Sequence, residues 1–121
     1  RETMDQLKGW KGARRGIIHC FSGDYPMAKQ CIGLGFCISI PGTVTFEKNE
    51  KLRAIVRDLP LESLLVETDC PYLTPNPFRG KRNEPAYVVH TARKVAEIKG
   101  ISFEEAAAVT TANAKRIFNI P

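Results

Sequence analysis

Three short apolar runs punctuate the chain: Gly16-Ile17-Ile18-His19-Cys20-Phe21, Phe36-Cys37-Ile38-Ser39-Ile40 and Leu64-Leu65-Val66-Glu67-Thr68. Each is rich in β-branched or aromatic side chains and bounded by Gly, Pro or Asp. Such runs read as strands buried on both faces, the kind a parallel sheet requires. Helical patterns fill the gaps. Asp24 is placed to cap a helix with Pro26 in its first turn and a stripe of Met27, Cys31 and Leu34, ended by Gly33 and Gly35. A second helix is predicted from about Glu47 to Asp58, burying Leu52, Ile55, Val56 and Leu59 and stopping before Pro60. A third runs from near Pro85 to Gly100, with Val88, Val89, Ala92, Val95 and Ala96 as its apolar positions. Ser102 and Glu105 form a capping box for a further helix, with Ile101 as staple, and the last helix carries Ala114, Ile117 and Phe118.

The order is β-α-β-α-β-loop-α-α, and strand, crossover helix, parallel strand is the repeating unit of α/β folds. Three parallel strands leave two open edges, which folds usually cover or close. A complete (β/α) barrel needs eight strands and roughly 250 residues. On a barrel reading, more than half of the barrel lies outside this chain. The opening Arg1-Glu2-Thr3-Met4 starts in mid-helix without a cap or initiator Met, and residues 1–9 read as the tail of a preceding helix. Trp10 reads as core or packing surface.

Composition changes this picture little. The 121 residues are 43% apolar and 26% charged, ordinary for one globular domain and unlike a disordered chain. No apolar run approaches the roughly 20 residues of a membrane span, and nothing in the opening residues reads as a signal peptide. The net charge of +5 leans toward polyanionic partners, although a solvated basic surface gives the same number. Cys20, Cys31, Cys37 and Cys70 show neither a C-x-x-C pair nor a zinc-ribbon spacing, so they are expected to be free thiols, mostly buried, in a reducing cytoplasm.

The candidate chemistry lies at two strand ends. His19 falls near the end of the first strand and Asp69 just after the third, with Glu67 two residues before it. In a parallel barrel both ends open on the C-terminal face, where active sites are built. If the third strand persists, Glu67 and Asp69 point the same way. Singly, a strand-end His is commonly a packed residue and an Asp after a strand commonly a turn or cap. Together, an imidazole and a carboxylate at one mouth suit a divalent ion, which activates water and polarises the bond to be cut. His90 sits mid-helix and reads as an ordinary helix residue. The long loop from Cys70 to Glu84 carries Arg79, Lys81 and Arg82, which could meet phosphates, and Tyr72 and Phe78, which could stack on bases. A proline-stiffened structural loop with solvated charges accounts for it equally well.

Three motifs, in order along the chain, resemble one family. Val66-Glu67-Thr68-Asp69-Cys70-Pro71-Tyr72-Leu73 followed by Arg79-Gly80-Lys81-Arg82-Asn83-Glu84-Pro85, the earlier Ile18-His19-Cys20-Phe21-Ser22-Gly23, and the closing Thr111-Ala112-Asn113-Ala114-Lys115-Arg116-Ile117-Phe118 are similar to the late motifs of the TatD family. The resemblance implies an α/β fold, the last three β/α units of an amidohydrolase-type TIM barrel, with residues 1–121 forming the C-terminal portion of that single domain. It implies a metal-dependent hydrolase, a deoxyribonuclease that trims DNA from the 3′ end with two divalent ions (Mg, Mn or Zn). His19 and Asp69 would be metal ligands, and Asp69 would also orient or deprotonate the attacking water. Glu67 would brace the ligands without binding the ion. Arg79, Arg82 and Asn83 would contact substrate phosphates.

The family's His-x-His pair, its bridging glutamate and one further histidine have no counterpart here. Two ligands do not hold a dinuclear site, so this chain by itself is expected to bind metal weakly and turn over poorly. The partners expected are DNA and either the missing N-terminal half of the barrel or another copy of the chain. Two other readings stay open: the same barrel acting on a non-nucleic ester, lactone or amide, and a non-catalytic fragment that self-associates through its open edges.

Overall fold

The computed structural model describes residue 6 and residues 16–121. The predicted helix tail over residues 1–9 and the placement of Trp10 fall outside them, except that Gln6 is helical. Strands β1 (Gly16–Ile18), β2 (Phe36–Ile40) and β3 (Leu64–Val66) form one sheet in chain order, all parallel. Helix α1 (Tyr25–Gly33) joins β1 to β2, and α2 (Glu50–Asp58) joins β2 to β3. Helices α3 (Val88–Lys99) and α4 (Phe103–Phe118) follow the long loop. Among the described residues, no helix is long and apolar enough to cross a membrane.

Most predicted boundaries hold, and the departures have local causes. Asp24 caps α1 by accepting the Met27 amide at 2.9 Å, and Ser102 caps α4 by accepting the Glu105 amide at 3.0 Å. Gly100 ends α3 in the left-handed conformation (φ 68°). The second helix starts at Glu50, not Glu47, because Asn49 takes the cap: its side chain accepts from Leu52 and donates to Thr43. A short 3-10 turn, Gly42–Thr45, occupies the space before it. The capping box and the terminal apolar residues belong to one helix, α4, whose end leaves Phe118 61% exposed. The first and third strands stop at Ile18 and Val66, short of the predicted residues 21 and 68.

The core lies between one face of the sheet and the helices. Ile38 and Ile40 of β2 and Leu64 of β3 are fully buried, with Val44, Val56, Leu59 and Val95 packed around them. Alternation along β2 turns the intervening Ser39, also buried, to the other face. Helix α4 is tied down by polar contacts. The buried Asn113 amide donates to the Leu61 and Leu64 carbonyls at 2.9 and 2.8 Å, and Arg116 donates to Glu62 at 2.9 Å.

Ile40 sits at the centre of this packing with no exposed surface. Ile40→Ala is expected to lower unfolding free energy by about 2–5 kcal/mol, and Ile40→Val by about 0.5–1.5 kcal/mol. Urea denaturation checks both, and equal midpoints for the two variants would contradict this core.

Candidate metal centre

His19 lies one residue beyond β1 and Glu67 directly beyond β3, on strands separated by β2. Both chain ends are fastened to the C-terminal end of β2: the Phe21 amide donates to the Ser39 carbonyl at 3.3 Å and the Glu67 amide to the Ile40 carbonyl at 3.1 Å. The side chains then meet across the intervening strand. His19 Nε2 is 2.9 Å from Asp69 Oδ1 and 3.3 Å from Glu67 Oε2. One ligand-capable atom from each of the three residues falls within 4.8 Å of the others.

Because β3 ends at Val66, strand alternation does not aim Asp69. Asp69 takes the left-handed conformation (φ 56°), as does Cys20 (φ 49°), and these two turns bend the chain so that the groups converge. The Cys20 amide donates to Glu67 Oε1 at 2.9 Å, and the Ser39 hydroxyl also hydrogen bonds to that carboxyl. Neither Cys20 nor Ser39 was singled out as a site residue in the sequence. The available signal was Ser39 itself, the polar residue inside the apolar run of β2. Glu67 is also closer to the chemistry than expected, since its free oxygen faces His19 within the ligand set.

Electrostatics mark the cluster as a cation site. The imidazole is 71% exposed, whereas the two carboxylates are about nine-tenths buried. Glu67 Oε2 and Asp69 Oδ2 are buried without a hydrogen-bond partner. Burial, followed by the neighbouring Asp69 carboxyl, pushes the Glu67 carboxyl up to about 7 despite the opposing Ser39 and Cys20 contacts. Burial and the same two carboxylates push the Cys20 thiol up to about 11. Two buried carboxylates with orphaned oxygens beside an open imidazole fit a divalent ion: the donors are hard oxygen and borderline nitrogen, and the charge they lack is positive.

The loop after Asp69 is pinned at both ends. Asn83 is 3% exposed; its amide donates to the Thr68 and Tyr72 carbonyls, and its oxygen accepts the Glu84 amide. The side-chain donors of Asn83, expected at substrate phosphates, are spent here on the backbone beside Asp69. Asn76 ties the loop to Thr45 through two bonds of 2.8 and 2.9 Å. A Cβ on Gly42 would come 2.9 Å from the Leu73 carbonyl oxygen, so the loop packs where only glycine fits. Arg79 is exposed and lies 3.8 Å over the Phe46 ring, in the connection after β2. Arg82, also exposed, lines a cleft of about 420 Å³ with Cys70, Pro71, Asn83, Glu84 and Pro85. Phe78 stacks on Tyr87 at 4.7 Å and meets His90 edge-on at 5.3 Å, so Phe78 and His90 are structural. Cys20, Cys37 and Cys70 are free; Cys31 and Cys37 are buried as expected, whereas Cys20 is half-buried and Cys70 exposed.

A parallel α/β sheet with a candidate metal centre beyond the C-terminal ends of its strands is the class this arrangement defines. Within that class, the TatD related DNase family profile matches residues 1–119, and the chain belongs to that family. It is 51% identical over 105 residues to the uncharacterized metal-dependent hydrolase YabD of Bacillus subtilis, covering 87% of this chain and 41% of that protein. It is 43% identical over 120 residues to the uncharacterized metal-dependent hydrolase TatD of Mycobacterium tuberculosis, covering 99% of this chain and 46% of that protein. The crystal structure of YjjV, a TatD homolog from Escherichia coli, matches with a TM-score of 0.88 at 34% identity, over all of this chain and 48% of that one. The chain thus spans somewhat under half the length of these relatives. The solved relative implies an α/β TIM-barrel-like fold, and the curated relatives are named metal-dependent hydrolases.

Two measurements test the site. The Glu67 carboxyl sits above its unfolded value of 4.5, so the folded metal-free chain holds a proton there that the unfolded chain has released. Its contribution to metal-free stability is therefore full below about 4.5 and lost as pH rises through about 7. Metal binding displaces that proton, so manganese affinity measured by calorimetry is expected to rise with pH through about 7, with proton release. A flat affinity between pH 5.5 and 8.5 would contradict it. Asn83→Ala is expected to lower stability by about 1–3 kcal/mol and to weaken metal binding roughly 10- to 100-fold. Unchanged metal affinity would show that the brace does not set the position of Asp69.

Proposed function

We propose that this chain forms the last three β/α units of a TIM-barrel domain whose intact form hydrolyses DNA phosphodiester bonds with divalent metal, trimming strands from the 3′ end. The observation that carries the reading is the convergence of His19, Glu67 and Asp69 with two orphaned buried carboxylate oxygens. The family description as related DNases supports the substrate class. The exposed Arg79 and Arg82, on the loop that leaves Asp69, fit a polyanion.

His19 and Asp69, with Glu67 beside them, would hold a divalent ion, which supplies Lewis-acid polarisation of the phosphate and a lowered pKa for water. The reading takes two such ions (Mg, Mn or Zn), and three ligand residues do not fill two coordination spheres. The remaining ligands come from the other strands of the barrel. Asp69, whose Oδ2 has no other partner, orients the attacking water and accepts its proton. The Cys20 amide and Ser39 hydroxyl keep Glu67 turned toward the cluster. Arg79 and Arg82 neutralise phosphate charge along the strand. The free thiols of Cys20, Cys37 and Cys70 fit a reducing cytoplasm.

The test is a nuclease assay on the intact barrel with labelled single-stranded DNA and magnesium or manganese. Asp69→Ala and His19→Ala are each expected to lower kcat by about 10²–10⁴-fold, and chelation is expected to abolish cleavage. Full activity in both variants would overturn the site. Cleavage of nitrophenyl esters with none of oligonucleotides would overturn the substrate.

A further inference from the structure

Tyr72 is 74% exposed, the most exposed large apolar side chain among the described residues, and it stands three positions after Asp69. Exposed single apolar residues are common on protein surfaces. What sets this one apart is that its backbone is held fast. The Tyr72 amide donates to the Asp69 carbonyl at 2.9 Å, and the Tyr72 carbonyl accepts from Asn83 at 2.8 Å. Leu73, which follows, takes the left-handed conformation (φ 55°), and the Leu73 carbonyl abuts Gly42. The residues before Tyr72, Cys70 and Pro71, line the cleft of about 420 Å³ that also holds Arg82. The ring of Tyr72 stacks on no other ring among the described residues. Phe78, the other aromatic of the loop, is consumed by Tyr87 and His90.

We propose that Tyr72 is a positioning residue: a fixed platform on which an unpaired nucleobase of the substrate stacks, beside an arginine-lined cleft that takes the adjoining phosphate. This rests on the nucleic-acid reading above. An aromatic face pinned next to a metal centre orders the nucleotide at the scissile bond with little conformational cost, because the loop is already immobilised. Inside a duplex both faces of a base are covered by its neighbours. The platform therefore takes a base freed from such stacking and not one inside a duplex.

Cleavage kinetics of the manganese-loaded intact protein test this with Tyr72→Ala and Tyr72→Phe. Two substrates are used: a single-stranded oligonucleotide, and the same strand with abasic terminal nucleotides. Tyr72→Ala is expected to raise KM for the base-bearing strand on the order of tenfold and to leave KM for the abasic strand unchanged. Tyr72→Phe, which keeps the ring, is expected to restore the wild-type KM. An unchanged KM for the base-bearing strand in Tyr72→Ala, or an equal rise on both strands, would overturn the platform while the nuclease reading stands. Failure of the wild-type protein to cleave either strand would overturn both.

Discussion

Parallel pairing of β1 and β3 on the two sides of β2 is the constraint on which the rest depends. It puts the C-terminal ends of all three strands at one edge of the sheet. Residues 50 positions apart, His19 and Asp69, are thereby delivered to the same place. The buried faces of Ile38, Ile40 and Leu64 hold the register, since a slip of one residue would turn these side chains away from the helices and expose them. Helix α4 reinforces it through Asn113, whose amide grips the turn that feeds β3 and the first residue of that strand.

On that frame the chain places a cluster that is unfavourable by itself. Two carboxyl groups are drawn out of water side by side, and His19 beside them is mostly in solvent. Folding keeps them there because Glu67 is gripped by the Cys20 amide and the Ser39 hydroxyl, and because the loop after Asp69 is braced by Asn83. The strained left-handed turns at Cys20 and Asp69 belong to the same arrangement: they bend the chain beyond β1 and β3 and bring donor atoms together. A site that holds buried carboxyl oxygens without hydrogen-bond partners in a fixed geometry is preorganised for a cation.

The loop from Cys70 to Glu84 shows the same economy of motion. Asn76, Thr45, Gly42 and Asn83 fasten it to the body of the protein, and what it presents outward is Tyr72, Arg79 and Arg82. Arg53 of α2 reaches the carbonyls of Phe46 and Glu47, steadying the connection on which Arg79 rests. Polar and aromatic groups on such a support meet a ligand without first having to be ordered.

Legible in the sequence were the strand and helix order, the caps at Asp24 and Ser102, the stop at Gly100, the family, and His19 and Asp69 as candidates for one site. These are local or patterned signals: apolar runs, cap residues and contiguous motifs can be read one segment at a time. The tertiary structure alone decided what depends on distant partners. It drew Glu67 into the ligand set, since the amide of Cys20, 47 positions away, turns it there. It buried Asn83 and spent its donors on Thr68 and Tyr72. It separated Tyr72, left open to solvent, from Phe78, packed against Tyr87. Side-chain type is written in the sequence, but whether a polar atom is free or already partnered is fixed only when the chain closes on itself.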